Sequence, residues 1–230
     1  MQKHILVIGG TKGIGLASVE QLVKQGYTVH CVARNIEGQS AAQHYYQADV
    51  LKDPLPELDI PLSGLVYCPG SINLKPFKQL KVSDFEKDFA INVTSAVRVL
   101  QQYERNLKAA EQASVVLFST VAVQTGMGYH ASVAASKGAI EGLGRSLAAE
   151  WAPTVRVNTI APSLVQTDLA ARLIRTEKQI EASAQRHPLK RIGQAQDIAA
   201  CVSYLISEQS SWVSGQVHKI DGGMSSIKTL

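Results

Sequence analysis

Three glycines near the start of the chain have a spacing that suits phosphate binding. Gly9, Gly13 and Gly15 lie in "IGGTKGIG", between a short apolar run and an amphipathic helical pattern. Glycines permit a tight turn and a close approach of the backbone, while a helix N-terminus offers free N–H groups. We therefore expect this loop to bind the pyrophosphate of a dinucleotide. The candidate residues of the loop are Gly9, Thr11, Lys12, Gly13, Ile14 and Gly15.

The end of the second predicted strand indicates which dinucleotide binds. A site for NAD usually has a carboxylate there, about 20 residues past the glycine loop, which binds the ribose 2′-hydroxyl. Here the strand ends in "CVARN", with Arg34 and no acid before Glu37. Arg34 and Lys12 together could hold a 2′-phosphate, which favours NADP(H) over NAD(H). The alternative is that both are solvated surface cations.

Strands and helices alternate along the chain, as the placement of such a loop requires. Apolar runs without strict alternation predict strands that are buried on both faces. The predicted strands are residues 4–8, 27–33, 44–48, 64–68, 114–119, 155–161 and 216–220. The predicted helices are residues 13–26, 83–110, 131–151 and 194–206. This alternation predicts a doubly wound parallel α/β sheet, flanked by helices on both faces, in a single domain 1–230.

Individual residues also predict where the second helix begins and where a connection lacks a helix. The second helix is predicted to begin at a capping box formed by Ser83 and Glu86. The segment 35–63 contains three prolines and leaves little room for crossover helices, so at least one connection there is predicted to be a loop.

The composition excludes several classes of protein. The 230 residues are 45% hydrophobic and 18% charged, which is unlike a disordered or fibrous chain. The net charge of +4 is mild and scattered, so we expect no nucleic-acid partner. No early apolar run is long enough for a membrane span or a signal peptide, so we expect a cytoplasmic protein without a membrane partner. The three cysteines lie far apart, and no metal-ligand spacing is present.

Beyond these features, the chain resembles the short-chain dehydrogenase/reductase family over nearly its whole length. The glycine loop is similar to the family's TGxxxGxG, with Ile8 in place of threonine, and "YCPG" occupies the place of its NNAG. "ADV", "INV", "RVNTIAPS", "PLKRIG" and "VSGQVHKIDGG" resemble further family motifs. The resemblance implies a Rossmann-like fold and hydride transfer between a nicotinamide cofactor and a small carbonyl or alcohol substrate. It also implies cofactor contacts at Asp49, Val50, Cys68, Gly70, Lys137, Pro162, Val165 and Thr167.

The family's catalytic set is asparagine, serine, tyrosine and lysine, and this chain matches it only in part. The resemblance assigns the asparagine to Asn92 and the lysine to Lys137. The tyrosine, four residues before the lysine, is replaced by Val133. Thirteen residues earlier, Thr120 stands in the place of the serine, with Ser119 beside it as the alternative.

The missing tyrosine leaves the source of the transferred proton open. Valine has no exchangeable proton, and the loss of a general acid costs about 10²–10⁴ in rate. His130 precedes Val133 by three residues and shares its helix face if the helix already includes it. An imidazole can donate or accept a proton near neutral pH, and Tyr129 offers a phenol. The alternative is that His130 caps the helix start and Tyr129 lines the pocket wall.

Two expectations concern what surrounds the site. A polar, helix-prone segment of about 168–190 is predicted to be a mobile substrate lid, whose cationic face suits either an anionic substrate or solvent. Ala134, Gly138 and Gly142 recur every four residues and form a smooth strip on the Lys137 helix. The family pairs this helix across a two-fold axis, which implies a homodimer or homotetramer. Close packing against the chain's own sheet would also explain the strip.

Two functions are compatible with the sequence. The first is an NADP(H)-dependent oxidoreductase with an altered catalytic set. The second is a catalytically weak or inactive NADP(H)-binding protein that acts as a sensor or as a partner subunit.

Overall fold

Seven parallel strands form a single sheet in the computed structural model, which describes residues 2–39 and 41–228. The strands are β1 (His4–Ile8), β2 (Thr28–Ala33), β3 (His44–Gln47), β4 (Gly64–Tyr67), β5 (Ala113–Phe118), β6 (Val155–Pro162) and β7 (Val217–Ile220). Their order in the sheet is β3-β2-β1-β4-β5-β6-β7, and every neighbouring pair is parallel. The predicted doubly wound sheet is therefore confirmed.

Helices cover both faces of this sheet. They are α1 (Gly13–Lys24), α2 (Val82–Phe89), α3 (Ser95–Lys108), α4 (Ala122–Thr125), α5 (Ala131–Trp151), α6 (Glu177–Gln185) and α7 (Ala195–Ile206). Leu22 of α1 and Val202 of α7 belong to the apolar core on one face. Leu100 of α3 and Ile140 of α5 belong to the core on the other. Because both faces are covered, the central strands are continuous apolar runs.

The helical stretch predicted for residues 83–110 is present as residues 82–108, but it is not a uniform α-helix, and the predicted capping box is wrong. A π-helical turn, Ala90–Thr94, separates α2 from α3. The helix begins one residue earlier than predicted, and the carboxylate of Asp84, rather than Glu86, accepts the backbone N–H of Lys81 at 2.9 Å. Asp84 also accepts a hydrogen bond from Lys75 Nζ at 2.9 Å, which holds it at the helix start.

The proline-containing connection lacks crossover helices, as predicted. Between β2 and β4, the described residues form only strand β3 and turns. Side chains of α3 stabilise this segment by binding its carbonyl groups. Arg98 donates to the carbonyl of Val50 at 3.1 Å, and the Tyr103 hydroxyl donates to that of Pro56 at 2.7 Å. The polar backbone of the loop is thereby satisfied without a helix.

The strand order places a cleft beside the glycine loop. Strands β2 and β3 lie on one side of β1, and the chain then crosses to β4 on the other side. The carboxyl edge between β1 and β4 is therefore a topological switch point. Ligands of doubly wound sheets bind at such points. In the described part of the chain, no helix has the length and apolar composition that crossing a bilayer requires.

Candidate active site

The loop between β1 and α1 has a backbone that requires its glycines. Gly9 and Gly13 have φ angles of +78° and +52°, in the left-handed region. A β-carbon on Gly15 would lie 2.1 Å from the carbonyl oxygen of Gly9, so only glycine fits there. The side chain of Lys12 makes no capping hydrogen bond to α1. The start of the helix therefore suits an anionic ligand.

A cavity of about 570 Å³ lies beside this loop at the carboxyl edge of the sheet. Its size is that of a small-molecule or cofactor site. The predicted site residues in its wall are Gly9, Lys12, Gly13, Ile14, Gly15, Cys68, Gly70, Thr120, His130, Lys137, Pro162, Val165 and Thr167. Thr11, Arg34, Asp49, Val50 and Asn92 are not among the residues that line it.

Lys137 is a buried cation in the cavity wall. It is 8% exposed, and its Nζ donates a hydrogen bond to the carbonyl of Phe118 at 2.9 Å. Burial lowers the pKa of Lys137 to about 8, although the neighbouring Cys68 and Asp88 oppose this effect. A β-carbon on Gly70, three residues after β4, would lie 3.3 Å from this Nζ, so the backbone at Gly70 packs closely against the lysine.

Asn92 lies behind the cavity wall and connects three elements. It stands in the π-helical turn before α3, where its Nδ2 donates to Ser71 Oγ at 3.0 Å and to Ser136 Oγ at 3.1 Å. Its Oδ1 is buried without a hydrogen-bond partner and would lie 3.2 Å from a β-carbon on Gly70. The π-helical turn thus places Asn92 against Gly70 and Ser71, which follow β4, and against Ser136 of α5.

Val133 and Thr120 line the cavity together with Lys137. Val133 precedes the lysine by one helical turn, and its side chain is 5% exposed. The Thr120 Oγ1 accepts the backbone N–H of Ala122 at 3.3 Å, and its own proton can be donated elsewhere. The alternative, Ser119, donates its hydroxyl to Glu141 Oε1 at 2.8 Å. Thr120 is therefore the better placed of the two hydroxyls.

His130 reaches the cavity, but Tyr129 does not. His130 is the residue before α5 and is not part of the helix. It therefore does not share a helix face with Val133, as it would have done had the helix included it. Its Nδ1 lies 2.7 Å from the carbonyl oxygen of Gly128, which can only accept, so Nδ1 carries a proton. Tyr129 has a positive φ of 69° and is 64% exposed, and it does not line the cavity.

Of the residues predicted to hold the adenosine half of a dinucleotide, Lys12 lines this cavity, whereas Arg34 and Asp49 do not. Arg34 is exposed after β2, and Asp49 follows β3, with its Oδ1 accepting the backbone N–H of Leu51 at 3.0 Å. Lys12 is also exposed, and its Nζ lies 4.0 Å from the carboxylate of Asp168. Such an exposed pair is worth little energy, so Lys12 can exchange it for a ligand phosphate.

Two hydrogen-bonded pairs of polar residues at the site were not predicted from the sequence. Ser163 Oγ lies 2.8 Å from His187 Nε2, and both residues line the cavity. Ser71, also in the wall, donates to the buried carboxylate of Asp88 at 2.6 Å. A histidine directly before Pro188 was the only sequence signal for the first pair, and its partner is 24 residues away. Each pair depends on tertiary packing that no local pattern reveals.

The chain is similar to known reductases over almost all of its length. A family profile described as Enoyl-(Acyl carrier protein) reductase matches residues 49–225. The chain is 32% identical to a tropinone reductase homologue of Arabidopsis thaliana, over 96% of this chain and 91% of that protein. It is 31% identical to the 3-oxoacyl-(acyl-carrier-protein) reductase MabA of Mycobacterium tuberculosis, over 97% of this chain and 93% of that protein.

A solved structure shows the same architecture. A short-chain type dehydrogenase/reductase from Mycobacterium ulcerans superposes with a TM-score of 0.88 at 28% sequence identity. The superposition covers 98% of this chain and 90% of that one. The glycine loop, the switch point and the lysine-lined cavity thus belong to a fold that known dehydrogenases and reductases share.

Proposed function

The chain belongs to the short-chain dehydrogenase/reductase family, and we propose that it is an NADP(H)-dependent oxidoreductase acting on a carbonyl/alcohol pair. In this proposal the catalytic set is altered, because Val133 takes the place of the tyrosine. The observation that carries the proposal is the common cavity: the glycine loop, Thr120 and the buried Lys137 all line it.

The residues present fit a nicotinamide dinucleotide. The glycine loop leaves no room for a β-carbon at Gly15, and the N-terminus of α1 suits a pyrophosphate. Lys137 would hold the ribose hydroxyls, and Thr167 would contact the carboxamide. A bound reduced nicotinamide supplies the hydride. Arg34 and Lys12, with no acid at the end of β2, support a 2′-phosphate and hence NADP(H).

The chain's own residues then orient the substrate. The Thr120 hydroxyl, beside Lys137 in the cavity wall, donates a hydrogen bond to the substrate carbonyl. The cavity wall also contains the apolar side chains of Ile72, Leu74, Met127, Leu164, Leu173 and Met224. These favour an apolar body on the substrate, and a segment of about 168–190 acts as its lid.

A second candidate function rests on Val133 itself. Val133 is buried and has no proton to donate, so a cavity that binds NADP(H) at Lys137 need not catalyse hydride transfer from it. The rival proposal is an NADP(H)-binding protein of little or no activity, which serves as a sensor or as a partner subunit.

Binding followed by turnover separates the two functions. Fluorescence titrations with NADPH and NADH come first, and we expect tighter binding of NADPH that weakens in Arg34→Ala. Equal or tighter binding of NADH would contradict the role of Arg34 and Lys12. Turnover is then measured with a panel of ketones and quinones.

The variants used in the turnover assay identify the acid. Slow reduction by the wild type supports the oxidoreductase. Binding without reduction, restored by Val133→Tyr, supports the binding protein. If His130→Ala abolishes an activity that Val133→Ala retains, His130 is the acid.

We also propose that the strip on α5 pairs with a second copy of the chain in a homodimer or homotetramer. A β-carbon on Gly142 would meet nothing within 4 Å, whereas one on Gly144 would lie 2.9 Å from Thr159 Oγ1 in the sheet. Gly144 therefore explains the close approach of α5 to its own sheet, and Gly142 faces away from it.

A further inference from the structure

Ser163 and His187 form a hydrogen-bonded pair in the cavity wall that the proposed function leaves unused. Ser163 directly follows β6, and His187 follows α6 by two residues. Both line the cavity, and His187 is only 3% exposed. The Ser163 Oγ and the His187 Nε2 are 2.8 Å apart.

A second hydrogen bond fixes which ring nitrogen of His187 exchanges its proton. Its Nδ1 lies 2.8 Å from the carbonyl oxygen of Ser183, which can only accept. Nδ1 is therefore protonated in both charge states, and Nε2 is the nitrogen that gains or loses a proton. The neutral ring accepts the Ser163 O–H at Nε2. The charged ring donates from Nε2 to Ser163 Oγ and leaves the hydroxyl's own proton free.

Among the described residues, the freed proton of Ser163 has a weak acceptor, the Met224 thioether. Ser163 Oγ lies 3.0 Å from Met224 Sδ, and a thioether is a weak acceptor. A substrate oxygen in the cavity would compete for this proton successfully. Protonation of His187 thus turns Ser163 into a hydrogen-bond donor towards the cavity.

The pair lies next to the residue assigned to the substrate carbonyl. The carbonyl of Pro162 accepts the backbone N–H of Val121 at 3.1 Å. Because β5 and β6 are adjacent and parallel, Ser163 and Thr120 leave the sheet side by side at its carboxyl edge. A substrate oxygen bound by Thr120 therefore lies on the side of the cavity that Ser163 lines.

We propose that Ser163 protonates the substrate oxygen in place of the absent tyrosine, with His187 supplying the proton through it; this rests on the proposed function. As hydride adds to the carbonyl carbon, the π electron pair of the C=O bond moves to oxygen. That oxygen takes the proton of the Ser163 hydroxyl, and Ser163 Oγ takes the proton of His187 Nε2. His187 is left neutral, protonated at Nδ1, and regains a proton from water. Alcohol oxidation reverses each transfer.

Charged residues near His187 in the described part of the chain include Arg186 and Lys190 on its own segment, Asp168 in the same cavity wall, and Asp221. Asp221 precedes Gly222, where an added β-carbon would lie 3.6 Å from His187 Cβ. Burial raises the pKa of Asp221, but hydrogen bonds from Ser225 and Gly223 outweigh it and hold that pKa below its usual value. Asp221 therefore stays ionised, and its charge does not change while His187 gains or loses a proton.

The first test observes His187 without cofactor or turnover. Long-range ¹H–¹⁵N spectra of the labelled protein report which ring nitrogen is protonated. We expect a proton on Nδ1 at every pH, gain of a proton only at Nε2, and a shift of the Nε2 resonance in Ser163→Ala. A neutral His187 protonated at Nε2 would overturn the relay whatever the activity.

The second test measures reduction of a carbonyl substrate with NADPH. Ser163→Ala and His187→Gln are expected to lower kcat about 10²–10⁴-fold, the usual contribution of a general acid, with little change in KM for NADPH. Ser163→Thr, which keeps the hydroxyl, should recover most of the loss. The matched controls Ser211→Ala and His44→Gln alter exposed residues away from the cavity and should behave like the wild type. A solvent deuterium isotope effect on the wild-type rate, changed in His187→Gln, would separate proton transfer from a structural role.

The outcomes distinguish the relay from the proposed function. Wild-type activity that survives in both Ser163→Ala and His187→Gln would overturn the relay and leave the function standing. Activity lost in His130→Ala but kept in His187→Gln would also overturn it. A wild type that binds NADPH and reduces nothing would overturn the proposed function, and the relay with it.

Discussion

At the scale of single residues, the charge on Lys137 makes cofactor binding depend on pH. Burial lowers the pKa of this lysine to about 8, from 10.5. A protonated lysine donates up to three hydrogen bonds, which suits ribose hydroxyls. We therefore expect cofactor binding to weaken as the pH rises above about 8.

The same shift in pKa predicts a pH-dependent stability that Lys137→Met removes. Between about pH 8 and 10.5 the unfolded state holds the lysine proton and the folded state does not. The free energy of unfolding therefore rises with pH across this window, by about 3 kcal/mol at most. Urea unfolding of the cofactor-free protein measures it, with the exposed Lys87→Met as the control. Equal pH dependence in wild type and Lys137→Met would contradict the burial.

At the scale of elements, the β1–α1 loop and the π-helical turn place the site. The loop forms the proposed dinucleotide site because its glycines allow the backbone to fold back on itself. The turn at Ala90–Thr94 carries Asn92 into contact with Ser71 and Ser136. Both elements depart from regular secondary-structure hydrogen bonding, and this departure positions their residues at or behind the cavity wall.

Gly15→Ala tests the loop directly. The added β-carbon would lie 2.1 Å from the Gly9 carbonyl oxygen, so the loop must open. We expect at least a tenfold loss of NADPH affinity, about 1.4 kcal/mol, in a fluorescence titration. Gly142→Ala, where a β-carbon meets nothing within 4 Å, is the control and should bind NADPH normally. Unchanged NADPH affinity in Gly15→Ala would contradict the assignment of the loop.

At the scale of the whole molecule, the free space at Gly142 of α5 supports the proposed pairing with a second copy of the chain. Gly142→Arg places a long charged side chain on the strip and is expected to reduce the molar mass in solution to that of a monomer. Light scattering after size-exclusion chromatography measures this, and Ser211→Arg on an exposed turn is the control. A wild type that is already monomeric at micromolar concentration would contradict the pairing.

The sheet, the glycine loop and the position of Lys137 were predictable from the sequence because their signals are local. Each strand is a buried apolar run, and each was located to within one residue at either end. The glycine loop and Lys137 lie in continuous motifs. The π-helical turn was not predictable, since Asn92 bonds residues 21 and 44 positions away. The Ser163–His187 pair escaped for the same reason, because its members meet only when the segment after α6 folds against the end of β6.

We propose that this scaffold transfers hydride without the family's tyrosine. The most direct measurement uses NADPH carrying deuterium at the transferred position of the nicotinamide ring, mixed with wild-type protein and the ketone panel. Mass spectrometry of the products then detects any deuterated alcohol. We predict a deuterated alcohol from the wild type, formed slowly and faster in Val133→Tyr. Deuterated product from Val133→Tyr alone, with tight NADPH binding by both proteins, would contradict the claim and identify the wild type as a binding protein.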